Sequence, residues 1–336
     1  MTYFNTILCF LMIFFSSSVI GNNFAVISDM GASAQAIAIG NIDGSSRSAN
    51  AIFSNPAGLY RVHSYSLSLF QTTIMNEIDY LNIALCKNTK FGKIGLGYYS
   101  ATVDNIPFTG IHPETNEFYV KEQFTYNNLV TKLAYQKQIT RRLQLGLNLT
   151  KYKVQFHDVK AEGYGVDFGI LRIFKYFTLS TFVQNINKGT INYKDSSDDT
   201  YNGSETAPVS VSSSLRIILW NFIVYPQLKY QQNVYLPSLG IQYNPGFLPF
   251  LKFNVGYREL LDYTSQKHSR ASLGFDLRLL NLMFHYAYER SDYILHDHIS
   301  YFSLTYDFKF KDPAVYGNFK LSSLLFLIPV SYLLML

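Results

Sequence analysis

The chain is short of charge, of cysteine and of tryptophan, and its body holds no long apolar run. Charged residues fill 15 per cent of the 336 positions while hydrophobic residues fill 48 per cent; an ordinary soluble domain carries about 25 per cent charge. Part of the surface must therefore face something other than water. A bundle of membrane helices needs repeated runs of about 20 apolar residues. Between Gly21 and Leu321 a polar residue interrupts the chain every second or third position, which excludes helical spans for the body. Two cysteines occur, Cys9 in an apolar leader and Cys86 in a strand-like segment, so there is no disulfide framework and no cysteine metal site. The 28 basic and 23 acidic residues are scattered. No Lys/Arg block of the kind that grips nucleic acid is present, and no nucleic-acid partner is expected.

Signatures of catalysis are missing too. Neither Gly-x-Ser-x-Gly nor His-Glu-x-x-His occurs. Ser303, His285 and Asp307 have the residue types of a hydrolase but sit in no such motif, and neither enzymatic activity nor a cofactor is expected. His296-Asp297-His298 puts two imidazoles on one face with no third ligand nearby in sequence, and reads as a solvated loop tip. The glycines of Gly92-Lys93-Ile94-Gly95-Leu96-Gly97 precede no helix that could cradle phosphate; they suit twist and close packing in strands. Asn148-Leu149-Thr150 and Asn202-Gly203-Ser204 match a glycosylation pattern, from which nothing is read.

Aromatic rings are abundant, 27 Tyr and 27 Phe against one Trp, as suits strands and membrane interfaces. At the start, Ile7 to Phe15 is unbroken apolar sequence, followed by Ser16 to Ser18 and small residues to Gly21. That is the shape of a signal peptide over 1–21, with a short N-terminal anchor as the alternative.

From Ser64 the chain turns to period two. Tyr65, Leu67 and Leu69 alternate with Ser64, Ser66 and Ser68, which makes one face of an extended strand apolar. Leu143, Leu145, Leu147 and Leu149 repeat the pattern, and we read Tyr152, Val154 and Phe156 as continuing the same face. Phe302, Leu304, Tyr306, Phe308 and Phe310 alternate with Ser303, Thr305, Asp307 and Lys309. Such segments run over 64–74, 77–87, 92–103, 124–138, 142–156, 162–173, 176–187, 208–218, 222–232, 235–244, 250–260, 270–279, 282–290 and 298–310. The links from Asp104 to Gln123, Lys188 to Ala207, Leu261 to Ser269 and Ser291 to Asp297 are long and all lie on one side. The links on the other side are tight, as at Ile139-Thr140-Arg141 and Leu280-Asn281. Short turns at one end and longer loops at the other are the habit of transmembrane barrels.

The fold class expected is all-β: a transmembrane antiparallel β-barrel of about 14 strands over 61–310. Its circumference is too large for side chains to fill, so the apolar faces point to lipid, and Gly, Ser, Thr, Asn, Gln, Lys and Tyr line the lumen. A soluble sandwich or propeller is the alternative, with strands nearer five or six residues.

Before the barrel, residues 22–60 are rich in Ala, Ser, Gly and Asn, too small-sided and polar for a lipid-facing strand. The segment ends in Asn55-Pro56-Ala57-Gly58-Leu59, where proline fixes one backbone angle and glycine frees another. This motif, the small run Ala32 to Gly40 and Asp43 resemble the FadL-like outer-membrane barrels, the long-chain fatty acid transporter family, and most closely its PorV/PorQ branch. Gly163 to Leu171 followed by Leu179 to Asn187, Asn254 to Arg258, and Phe284 to Tyr288 are similar to strands of that branch. The resemblance spans roughly Gly31 to Phe310. It implies a bacterial outer-membrane location and an N-terminal hatch inside the lumen, with Asn55, Pro56, Ala57, Gly58 and Leu59 as a structural or gating motif. It also implies transport of hydrophobic, fatty-acid-like molecules, or, as the alternative, a PorV-like barrel that docks or shuttles secreted proteins. The partners expected are membrane lipid, a hydrophobic solute and a secreted or periplasmic protein. One departure is the tail over 311–336, apolar from Leu324 to Leu336, read as interfacial or wall-packed or as a contact for a periplasmic partner.

Overall fold

Strands with one greasy and one polar face can stand in hydrocarbon only if every backbone N–H and C=O is paired, and closing the sheet on itself achieves this. A computed structural model of the protein describes residues 30–74, 77–195, 202–261, 266–291 and 299–308. The strands run in chain order: β1 (Tyr65–Ile74), β2 (Ile78–Thr89), β3 (Gly92–Ile111), β4 (Phe118–Thr140), β5 (Leu143–Phe156), β6 (Val159–Ile173), β7 (Phe177–Gln184) and β8 (Thr190–Asp195). They continue as β9 (Asn202–Thr206), β10 (Ser210–Leu219), β11 (Phe222–Gln231), β12 (Val234–Tyr243), β13 (Leu251–Leu261), β14 (Lys267–Leu279), β15 (Leu282–Ser291) and β16 (Ile299–Asp307). Neighbours pair antiparallel, and β1 meets β16 from Ser66↔Asp307 to Gln71↔Phe302, which closes a 14-stranded barrel. The other two strands, β8 and β9, form a hairpin that pairs with the start of β6. No helix of the described residues is long and apolar enough to cross a membrane.

Side chains sort as period two dictates. Leu67, Leu69, Ile83, Leu85, Leu96, Leu133, Leu149, Val255 and Leu273 stand exposed on the outer face, while Ser66, Ser68, Asn82, Gln136, Asn148 and Ser272 are buried inside. Trp220 in the tight β10–β11 turn and Phe222 at the start of β11 are also exposed.

Several sequence expectations are corrected. Tyr152 and Val154 do not continue the outer face of Leu147 and Leu149: even positions of β5 point inward, so both are buried in the lumen. Lys151 and Lys153 take the outer positions instead, so the strand's outer face turns polar as it leaves the apolar band. The stretch Asp104 to Gln123 is mostly not loop, because β3 and β4 run on as a two-stranded ribbon to Ile111↔Phe118, with bulges on the way. The stretch Lys188 to Ala207 contains β8 and β9. The last described strand ends at Asp307, short of Phe310, and the tail 311–336 lies outside the described residues, as do the leader 1–21 and His296-Asp297-His298.

Inside the ring, residues 30–62 fold as a hatch with almost no regular structure: a one-turn helix α1 (Ala34–Ala38) and two 3₁₀ turns, Ala49–Ile52 and Pro56–Arg61. Its backbone touches nearly every side of the wall. Ser303 Oγ on β16 accepts from the Ala34 amide at 3.2 Å, and Ser272 on β14 donates to Ile37 O at 2.7 Å. Asn82 on β2 donates to Ala32 O at 3.1 Å and Asn148 on β5 donates to Ile52 O at 2.8 Å. Ser214 on β10 donates to Asp43 O at 2.5 Å, and Ser66 on β1 accepts from the Ala49 amide at 3.0 Å. The polar lumen positions thus supply the backbone partners that an irregular segment cannot supply for itself.

Candidate functional site in the plugged lumen

The lumen splits into three levels. At the middle is the hatch, seated on glycines that give its backbone room. A Cβ on Gly169 would run into Asn55 Oδ1, one on Gly146 into the Ala57 amide, and one on Gly256 into the Gly40 amide. Gly240 and Gly256 are cross-strand partners, as are Gly146 and Gly169, so each pair forms a smooth patch two strands wide.

The Asn55 to Leu59 motif is where the hatch is fastened. Asn55 caps the Pro56–Arg61 turn by accepting the Ala57 amide on Oδ1 at 2.9 Å. Its Nδ2 donates to Ser180 Oγ at 2.7 Å, to Thr181 O at 3.1 Å and to Ile170 O at 3.3 Å, all on β6 and β7. Proline at the first position of the turn has no amide to leave unpaired. Ala57 and Leu59 are fully buried, Leu59 in a cluster with Ile52, Val62, Ala84 and Cys86. Gly58 passes so close to Ser46 O that a Cβ there would lie 2.8 Å away.

Above the hatch, towards the long connections, one part of the lumen is apolar. Phe70, Tyr80, Tyr99, Tyr152, Val154 and Tyr301 belong to one buried cluster, with rings of Phe70 and Tyr80 5.8 Å apart and of Tyr80 and Tyr99 6.1 Å apart. The sequence reading gave this face only Tyr among large side chains; Phe70, Val130, Val154 and Ile191 were missed because both faces of the upper strands carry apolar residues. A cavity of about 50 Å³ opens here, floored by Gly31, Gly40 and Phe53 and walled by Tyr99, Leu236 and Arg258. Lys132 also reaches it, but its ammonium is held 2.7 Å from Asp167, with the two side chains 2 and 0 per cent exposed. Arg258 and Arg270 likewise share Glu289, each at 2.9 Å. The first pair is balanced, whereas the second sets two guanidinium groups on one carboxylate, so the cavity wall is polar and charged beside its aromatic side.

Beside the cavity the wall is interrupted. β6 pairs with β7 over Phe168 to Ile173 and with β8 over Val159 to Gly163, and between these stretches the ladder stops. The gap is bridged by one backbone bond, Ile186 N to Val166 O at 2.8 Å, and by side chains: Asn187 Oδ1 accepts the Val166 amide at 2.8 Å, and Asn187 Nδ2 donates to Tyr164 O at 3.1 Å. Asn185 and Lys188 take positive φ of 54° and 49°, which turns the chain out of the strand. The Asn185 amide donates to Asp167 Oδ1 at 3.0 Å and Asn185 Oδ1 accepts Tyr152 OH at 2.7 Å, tying the gap to the cavity wall.

Of the hydrolase-type residues, His285 and Ser303 face each other across β15 and β16, and Asp276 faces His285 from β14. His285 Nδ1 lies 2.7 Å from Asp276 Oδ1. The Ser303 hydroxyl, however, is occupied by the Ala34 amide, and Asp276 Oδ2 accepts from Gln35 at 3.3 Å. The row therefore fastens α1 to the wall. Asp307 sits apart, at the end of β16. Among the described residues no group of three His, Cys, Asp or Glu side chains could hold a metal ion.

The architecture has solved counterparts. The CymD monoaromatic hydrocarbon channel is 13% identical, with 84% of this chain and 99% of that chain covered at a TM-score of 0.59. This chain has the FadL-type barrel fold. The Pseudomonas putida toluene transporter TodX is 12% identical, with 82% and 96% covered at a TM-score of 0.57, and a Pseudomonas aeruginosa FadL homologue is 11% identical, with 82% and 98% covered at 0.54. No family model and no curated protein sequence matches the chain.

Proposed function

We propose that this protein is an outer-membrane channel for small hydrophobic molecules, which enter from the long-connection end, lodge above the hatch and leave sideways through the interrupted wall. The observation that carries the reading is the aromatic and aliphatic upper lumen. A lumen built to pass ions or sugars has polar walls throughout, whereas here Phe70, Tyr80, Tyr99 and Leu236 are buried inside a barrel whose axis is closed by the hatch, and the polar side chains Asn82, Gln184 and Arg258 share the cavity wall with Tyr80, Tyr99 and Leu236. With that axis blocked, the interrupted ladder between β6 and β7 is the exit this reading uses. The hydrocarbons named for CymD and TodX are the substrate class this lumen favours. The test is uptake of radiolabelled toluene and of laurate by outer-membrane vesicles carrying the protein. Leu236→Lys, which puts a charge on the cavity wall, is expected to abolish the gain in uptake over empty vesicles while the barrel stays heat-modifiable. Equal uptake by the two proteins would overturn the reading.

A second reading, docking of secreted proteins, is favoured by one feature. The β3–β4 ribbon runs on past its pairing with β2 and β5, rests on His157 through Phe108 and Glu122, and exposes Ile111, Phe118 and Val120 at 55, 78 and 55 per cent. Trimming residues 106–122 to a short turn would leave hydrophobic uptake intact and remove partner capture if docking is the role.

A further inference from the structure

At the short-turn end, below the hatch, inward positions carry a band of cations. Arg216 on β10, Lys252 on β13 and Arg278 on β14 all face the lumen by strand parity, with Tyr225 of β11 between them. The hatch adds Arg47, which lies within electrostatic range of Arg61, Arg216 and Tyr225. Lys252 is in range of Arg47, Arg216, Arg278 and Asp276. Two carboxylates lie near this group. Asp276 is already engaged by His285, Gln35 and Gln242, and Asp307 stands by Arg278 and Ser66. Arg47, Arg216 and Lys252 make no ion pair among the described residues, and Arg47 Nη2 and Arg216 Nε are sealed from solvent with no hydrogen-bond partner.

Buried guanidinium N–H groups without acceptors are expensive, and like charges side by side add to the expense. The lumen could have relieved it with one more carboxylate, as it does for Lys132 and Arg258. We infer that Arg47, Arg216 and Lys252 form a binding site for a small oxyanion, a phosphate group, entered from the short-turn end on the underside of the hatch. Two guanidinium forks and an ammonium offer a tetrahedral oxyanion several charge-assisted donors. The buried apolar group of Ile39, Ile42, Ile223 and Tyr225 lies beside these cations, so the phosphate is either free or the head of a short apolar chain. Because one ligand atom set would touch both hatch and wall, its occupancy fastens the hatch.

Burial draws the Arg47 guanidinium down to about 10, with Tyr225 opposing and Arg61 and Arg216 adding to the fall, which agrees with a cation that lacks its counter-charge.

The test uses the full-length barrel in non-ionic detergent at fixed ionic strength in chloride. Inorganic phosphate, or hexyl phosphate for the headgroup source, is expected to raise the unfolding midpoint by roughly 2–4 °C and to broaden in ³¹P NMR on adding protein. Arg216→Gln with Lys252→Met should lose both effects and unfold no lower than wild type without phosphate, since it removes repulsion. Should that variant fail to fold, Arg47→Gln carries the same test from the hatch alone. A response to either phosphate that the variants lose supports the site and names its source. No response in wild type, or an equal response in the variants, overturns it.

Discussion

Asn55 makes the sharpest prediction, because one buried amide fastens the hatch to the wall. Asn55→Ala removes a cap worth about 1 kcal/mol and three wall hydrogen bonds worth about 1 kcal/mol each at most, since two of them go to carbonyls already paired in the ladder. Non-additivity brings the sum to about 2–4 kcal/mol of hatch docking, or about 30- to 1000-fold in the population of the lifted hatch at 1.4 kcal/mol per tenfold. The chain provides its own reporter: Cys86 is the one free cysteine among the described residues, fully buried with Ile52, Leu59 and Val62 packed over it. A thiol reagent too large for the cavity reaches it only when the hatch lifts, so its labelling rate at fixed pH reads that population directly. Asn55→Ala should speed labelling by that factor, while Asn187→Ala, outside the hatch, should not. Labelling of Asn55→Ala at the wild-type rate, with the barrel folded, would refute the reasoning.

Other perturbations address separate parts of the account. Gly169→Val places atoms where Asn55 Oδ1 lies, so it should raise ion conductance in planar bilayers by displacing the hatch; unchanged single-channel conductance would remove the plug. Lys132→Met leaves the buried Asp167 with its hydrogen bonds but without its counter-charge and should destabilise the barrel by about 3–5 kcal/mol in urea, most of which the double variant with Asp167→Leu regains; an additive double variant contradicts this. Val166→Cys with Ile186→Cys, joined across the wall gap, should block hydrophobic uptake until reduced, and uptake indifferent to reductant would exclude the sideways exit. Leu149→Arg on the outer face should cost about 2–4 kcal/mol on folding into lipid, whereas Lys153→Arg beyond the apolar band should cost nothing measurable.

The strands and their tight turns were legible because side-chain period and turn length are local properties. Leu143 to Leu149 names an outer face whatever its neighbours are. The step from Leu149 to Tyr152 was misread because an apolar residue looks the same on either face; only counting parity through Thr150 shows that the face has changed. The β3–β4 ribbon reads as loop in the sequence because a strand beyond the membrane need not alternate, and Asn105 with positive φ of 58° breaks its register. The Asn55 to Leu59 motif stood out as a turn, but its fastening to Ser180 and Thr181 depends on residues more than 100 positions away. The glycine patches carried a signal that was available: Gly146, Gly169, Gly240, Gly256 and Gly274 all fall on inward parity, and pairing the strands in register would have shown them as a seat. The unpaired cations below the hatch carried no signal, since Arg47, Arg216 and Lys252 meet only in the closed barrel.

The account depends most on hydrocarbon surrounding the outer face, and Trp220 is placed to test it. It is the only tryptophan of the chain, almost fully exposed in the β10–β11 turn, where a barrel's short-turn end meets the lipid headgroups. In vesicles containing brominated lipids, its fluorescence should be quenched strongly by bromines near the headgroup and weakly by bromines at the chain ends. Emission indifferent to both lipids would place the turn in water and contradict a membrane-spanning barrel.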